Sequence, residues 1–408
     1  MATHLQRLNK EQQHPSTFKA AVFPANAALE IVDVQWREPG QNELAIKVHA
    51  CALSNNDAIS SAALLPSSKY PRTPGMAAIG EVVVVGGGGT SHDHNGSKLS
   101  SMISKLTLGK KGHGKTVTQE GTFKVGDKVI ATFTHQGLAE YCTAHVDHTT
   151  LLDSKFEPLD QLVAATAGAR VLSAYNHFSE ERKSKSEEER QACTRMNEEI
   201  GFGKGEGVVV VYGEGGYARM ALTAISLTAP EKISDRRIVL VTPSGHFSPD
   251  DYRIPAKDML VVGRDNIDQE LKKMGGVALV VAADQPAAGF NEVVDSTRYE
   301  AQIVLLTLSG QGKIDLNVGL VLARSLTVDG APLPTGASMR RALSFLSSHD
   351  IRKHLKLKTS DFTVDGVNEA WVLAKRRDTM LAPVVVFGYK GGQMQPAAGG
   401  GGAAAAAA

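Results

Sequence analysis

The sequence predicts an α/β protein in two parts, a small β-barrel-like domain followed by a doubly wound parallel sheet. Three observations carry this. Six short strand-like runs separated by turns fill residues 18–143; apolar strands alternate with helical stretches from residue 207 onward; and a glycine cluster joins the first of those later strands to a helix.

That cluster organises the chain. Val208 to Val211 is a run of β-branched residues, the pattern of a strand buried on both faces. Gly213, Gly215 and Gly216 follow at once, and a helical apolar pattern begins at Ala218. Gly213, Gly215 and Ala218 fit the spacing G-x-G-x-x-G/A, with Gly216 as an extra glycine. One glycine makes the tight turn and one lets backbone N–H groups approach a pyrophosphate. The small third residue lets helix and strand pack closely.

Composition narrows the class. With 408 residues, 42% hydrophobic and 21% charged, the chain is an ordinary globular protein with room for two domains. A net charge of +1 gives no electrostatic reason to expect a nucleic acid or an anionic membrane as partner. The three cysteines, Cys51, Cys142 and Cys193, lie far apart with no C-x-x-C spacing, which fits a reducing compartment and no structural zinc lobe. The start has no apolar signal core, and no run reaches the roughly 18 apolar residues of a membrane span. A cytoplasmic location is expected.

Taken in order, residues 1–17 read as a loose polar arm. Residues 18–157 hold the barrel strands FKAAVF, LEIVDVQW, LAIKVHACAL, MAAIGEVVVVG, FKVGDKVI and GLAEYCT. A helical pattern around residues 159–177 opens the second domain, 158–330. RIVLVTP, VALVVAAD and AQIVLLTLSG continue its sheet. Two helical patterns and a last strand, PVVVFGYKG, form a return segment, 331–390, and the strand is compatible with either domain.

Two interruptions and a tail stand apart. Residues 86–121 are rich in Gly, Ser and Lys, as in a flexible insertion. Residues 179–199 alternate in charge, as in a solvated helical excursion, and residues 391–408 are low-complexity. Within the first insertion, residues 109–116, GKKGHGKT, match the P-loop pattern letter for letter. The flanking strand and helix that a working P-loop needs are missing from the pattern there.

The landmarks, in order and spacing, resemble the medium-chain dehydrogenase/reductase superfamily, whose members join a GroES-like barrel to a Rossmann domain. EPGQNELAIKVHACALSNND, PGMAAIGEVVVVG, FKVGDKVIA, GLAEYCTA and VLSAY carry the resemblance. It implies an α/β fold with a GroES-like β-barrel catalytic domain and a Rossmann sheet. In zinc-dependent members a cysteine ligand stands where this chain has Ser54, and a histidine and a glutamate stand at Met76 and Ala77. A hydroxyl, a thioether and a methyl do not make a zinc site. The resemblance therefore points to the zinc-independent quinone-oxidoreductase and enoyl-reductase branch, with no metal ligands and no zinc.

In that branch hydride transfer needs orientation, a dry pocket and hydrogen-bond donors for developing negative charge. Ser54 and Asn55 are the catalytic candidates, and Asp57 is read as a cap on the following helix. For the cofactor the candidates are Ser173, Gly213, Gly215, Gly216 and Ala218, with Thr242 and Ser244 at the tip of the second Rossmann strand. No carboxylate follows that strand directly, the mark of an NAD site, so NADPH is expected over NADH. Lys257 is the cation considered for a 2′-phosphate. The substrate is expected to be a small molecule; relatives are often homodimers, and the residues leave the oligomeric state open. The competing reading is a catalytically silent relative that binds a nucleotide or a protein. Ala218 in place of glycine and the bulk of Tyr217 keep it open.

Overall fold

The computed structural model describes residues 14–22, 29–54, 57, 73–75, 77–87, 123–132, 137–202, 205–228, 236–284, 287–306, 316–331, 335–347, 356–376 and 380–388. Most of the 86–121 insertion, its P-loop-like stretch, Asn55, Met76 and the 391–408 tail lie outside them.

The first part is antiparallel. β1 (Thr17–Val22) and β2 (Glu30–Gln35) form a ribbon. β3 (Glu43–Ala52), β4 (Ala77–Val85), β5 (Lys128–Thr132), β6 (Tyr141–His145) and β7 (Thr149–Leu151) belong to one sheet in which β3 pairs with both β4 and β6. The ribbon docks through an Ala20–Ala139 bridge, sealed by Phe18, Trp36 and Tyr141 in edge-to-face contact. β7 is too short to leave a period-2 signal and was not legible as a strand.

A helix at Pro158–Val163 runs through a π turn at Ala164–Gly168 into the helix Ala169–Ser184. The next helix, Glu187–Glu199, starts from a capping box between Ser186 and Glu189. The charged interruption is thus helical as read, but it is not simply solvated. Cys193 and Asn197 are buried, and Asn197 accepts the Tyr299 N–H at 2.9 Å while donating to the Cys193 carbonyl at 2.8 Å. Two inward side chains among charges are enough to dock it.

The second sheet comprises β8 (Val208–Tyr212), β9 (Ile238–Thr242), β10 (Met259–Val261), β11 (Val277–Ala282), β12 (Thr297–Leu305) and β13 (Thr327–Gly330). All its pairings are parallel, in the order β10-β9-β8-β11-β12-β13. Counted from β8 this is 3-2-1-4-5-6, the doubly wound dinucleotide-binding order, which reverses between β8 and β11. The β8 sequence explains its central place. Val209 and Val211 enter one apolar cluster while Val208, Val210 and Tyr212 enter the cluster on the other face, so every position must be apolar.

The chain then returns. After the helix Gly336–Ser347, β14 (Lys356–Asp361), the helix Val364–Lys375 and β15 (Leu381–Val386) follow. β15 pairs antiparallel with β3, setting Val384 opposite Ala52 and Val386 opposite Ala50. The last strand therefore joins the barrel sheet, beside the strand that leads to Ser54. One hydrophobic cluster spans both parts, bringing Ala52 and Ala77 together with Ala218, Met220 and Met339.

Candidate functional site

The loop after β3 is held by one carboxylate. Asp57, 1% exposed, accepts the Ser54 N–H at 2.8 Å and the Ser54 hydroxyl at 2.9 Å on Oδ2, and the Gly75 N–H at 2.9 Å on Oδ1. Asp57 therefore ties two loop segments together, and the helix it was read as capping lies outside the described residues. The Ser54 hydroxyl proton points at Asp57, so this serine presents lone pairs to anything else that reaches it. Gly75 is obligatory here: its φ is +100°, and a Cβ would fall 2.6 Å from both the Cys51 sulfur and the Leu138 nitrogen. Burial, with Asp57 nearby, pushes the Cys51 thiol well up, so it stays a neutral apolar filler. At the other position implied as a metal ligand, Ala77 is a buried methyl paired with Ala52 and Thr132.

The glycine turn stands where the strand order reverses. Gly213 has φ +147°, and a Cβ on it would fall 2.9 Å from the Asp284 Cβ, on the segment leaving β11. Tyr212 O accepts the Ala283 N–H at 2.9 Å, so the ends of β8 and β11 are fixed against each other. Gly215 and Gly216 open the helix Gly215–Thr228, and Ala218, 0% exposed, lets it lie close on the sheet. Ser173 lies on the helix Ala169–Ser184.

Two groups at this turn were not legible in the sequence. The first is Glu214, buried between the motif glycines. Its Oε1 accepts the Thr242 hydroxyl at 2.8 Å, the Ser244 N–H at 2.8 Å, and the Ser244 hydroxyl. Thr242 and Ser244, read as partners for a 2′-phosphate, spend their donors on this carboxylate. The strand tip that lacked an acid in sequence has one in space, and the premise of the NADPH expectation is corrected. Lys257 is corrected too. Its carbonyl bonds Arg237, before the first residue of β9, so it lies by the end of the strand opposite Thr242.

The second group is Tyr252. Its phenolic oxygen accepts the Gly215 N–H at 3.0 Å, and the ring is buried against Phe247 at 5.9 Å between centroids. Burial pushes its phenol well up, with Glu214, Asp251 and Asp284 adding to the effect, so the group is a neutral hydroxyl. An acid between two motif glycines was the one visible hint of Glu214. Tyr252 gave none, because it reaches the turn from 37 residues away.

Residues 40–163 match the family model described as the alcohol dehydrogenase GroES-like domain. Over 369 residues the chain is 24% identical to a Penicillium expansum protein described as alcohol dehydrogenase patD, covering 88% of this chain and 94% of that one. Among solved structures, a mycobacterial protein complexed with NADPH is similar with a TM-score of 0.60 at 16% identity, covering 90% of this chain and 99% of that one. Acetophenone reductase from Geotrichum candidum, in complex with NAD, gives 0.62 at 14% identity, covering 92% and 98%. The matched domain is a GroES-like domain, and the fold, that domain joined to a doubly wound parallel sheet, is the fold of these solved structures. Among the described residues no helix is long and apolar enough to cross a membrane.

Proposed function

We propose that the protein is a zinc-independent oxidoreductase that takes a nicotinamide dinucleotide at the glycine turn and reduces an activated alkene, quinone or carbonyl in a small molecule. The observation that carries this reading is the position of the turn after β8, at the reversal of strand order, where open parallel sheets receive dinucleotides. The residues fit such a group. Gly213 lets the turn pass close to the Asp284 segment, and the helix Gly215–Thr228 directs its positive end at the turn, which favours phosphate.

A nicotinamide dinucleotide, when bound, supplies the hydride. The chain supplies placement and a dry wall. Ala50, Ala52 and Ala77 of the barrel share a cluster with Ala218 and Ala221 of the glycine helix, which excludes water between the two parts. Ser54, its proton committed to Asp57, offers substrate an acceptor rather than the donor expected of it. Zinc independence is supported by donor chemistry: Ser54 and the buried methyl of Ala77 stand at positions where zinc-dependent members carry ligands.

The second reading, a silent relative, is favoured by one observation. The Gly215 N–H that a pyrophosphate would use already bonds Tyr252. Titrating the purified chain with NADH and NADPH separates the two readings. Saturable binding with turnover of a quinone, enone or carbonyl supports the enzyme, whereas binding without turnover, or binding of neither cofactor, supports the silent relative.

A further inference from the structure

The carboxylate of Glu214 ties the glycine turn to the tip of β9, a task the turn itself does not require of this position. A glycine turn between a strand and a helix needs small residues and free backbone, and a buried acid there costs desolvation unless it is bonded. Glu214 is bonded, and in a particular way. The Thr242 hydroxyl, the Ser244 N–H and the Ser244 hydroxyl all fall on Oε1. Those bonds fix the carboxyl group at the C-terminal tip of β9 and leave Oε2 as the oxygen able to accept from a ligand.

The tip of the second strand is where a doubly wound sheet meets the adenosine ribose, and an acid there accepts from the ribose hydroxyls and repels a 2′-phosphate. We infer that Glu214 does this from the glycine turn and makes the protein select NAD(H) against NADP(H). This inference rests on the proposed nicotinamide site and deepens it. Arg253 on the same chain segment is exposed and screened by solvent, and the buried Arg219 of the glycine helix sits by Arg253, Asp251 and Tyr252, whereas the Glu214 carboxylate is held at the strand tip by three hydrogen bonds. Lys257 lies by the far end of the strand.

The test uses Glu214→Gln on the full chain, with dissociation constants for NADH and NADPH measured by fluorescence titration at one ionic strength. Glutamine keeps an oxygen for Thr242 and Ser244 and replaces the other oxygen with an NH2 donor, so the turn retains its bonds while the charge disappears. The wild type is expected to bind NADH at least about tenfold tighter than NADPH, and the variant to lose most of that ratio through weaker NADH and stronger NADPH binding. Glu214→Asp, which keeps the charge, is expected to retain a preference for NADH. A ratio unchanged in Glu214→Gln, or tighter NADPH binding by the wild type, would overturn the assignment while leaving the nicotinamide site standing. Binding of neither cofactor by the folded wild type would overturn both.

Discussion

The phenolic oxygen of Tyr252 accepts a hydrogen bond from the backbone N–H of Gly215, closing the mouth of the glycine turn from the segment that leaves β9. The bond satisfies a buried donor at the start of a helix, and it occupies a group that a dinucleotide phosphate would otherwise take. Tyr252→Phe removes the acceptor and leaves that N–H unpaired, at a cost of about 1–3 kcal/mol. The expected outcome is a melting temperature lower by a few degrees without cofactor and a smaller loss with it, because a phosphate re-satisfies the donor. Differential scanning calorimetry with and without NADH measures this; equal losses would show that no ligand reaches Gly215.

Gly75→Ala is expected to destabilise strongly. Its backbone lies in the left-handed region, and the new methyl would fall 2.6 Å from both the Cys51 sulfur and the Leu138 nitrogen. With backbone on one side, the strain has little room to relax, and a loss of about 3 kcal/mol or more follows from overpacking and positive φ together. Urea denaturation reads it, and a change below 1 kcal/mol would mean that the loop does not pack as described.

Asn197→Ala tests whether the charged helix Glu187–Glu199 is structural. The variant leaves the Tyr299 N–H without its side-chain acceptor and empties a buried position. A loss of about 1–3 kcal/mol is expected, against about 0.5 kcal/mol or less for an exposed alanine substitution such as Glu188→Ala on the same helix. Equal effects would return that helix to a solvated excursion.

The barrel strands, the parallel sheet and the glycine turn were legible because each buries a pattern with a definite period. Val208 to Val211 reads as a strand covered on both faces, and it is one. β7, β10 and β13 were missed because three or four residues carry no periodic signal. β14 was passed over, although Leu355 and Leu357 alternating with Lys356 and Lys358 is the period-2 pattern of a half-buried strand. At the site, the family resemblance named Ser54, and the strand-tip position named Thr242 and Ser244, but what they do depends on Asp57 and Glu214. The pairing of Glu214 with Thr242 crosses 28 residues and exists only after the sheet has formed. Side-chain partners brought together by tertiary structure leave no local trace.

Purified protein is expected to carry no stoichiometric zinc, since Ser54, whose hydroxyl donates to Asp57, and the Ala77 methyl stand where ligands would be needed. Elemental analysis after dialysis against a chelator checks this. One zinc per chain retained under those conditions would place the chain with the metal-dependent enzymes.

The central claim, that the turn after β8 receives a nicotinamide dinucleotide, is tested most directly by calorimetric titration of the full chain with NADH. Gly213→Ala, confirmed as folded by circular dichroism, serves as the comparison. The account predicts saturable binding at one site in the wild type and at least about a tenfold loss in the variant. A Cβ at φ +147° would sit 2.9 Å from the Asp284 Cβ and deform the turn. Binding of equal strength in both proteins, or in neither, would contradict it.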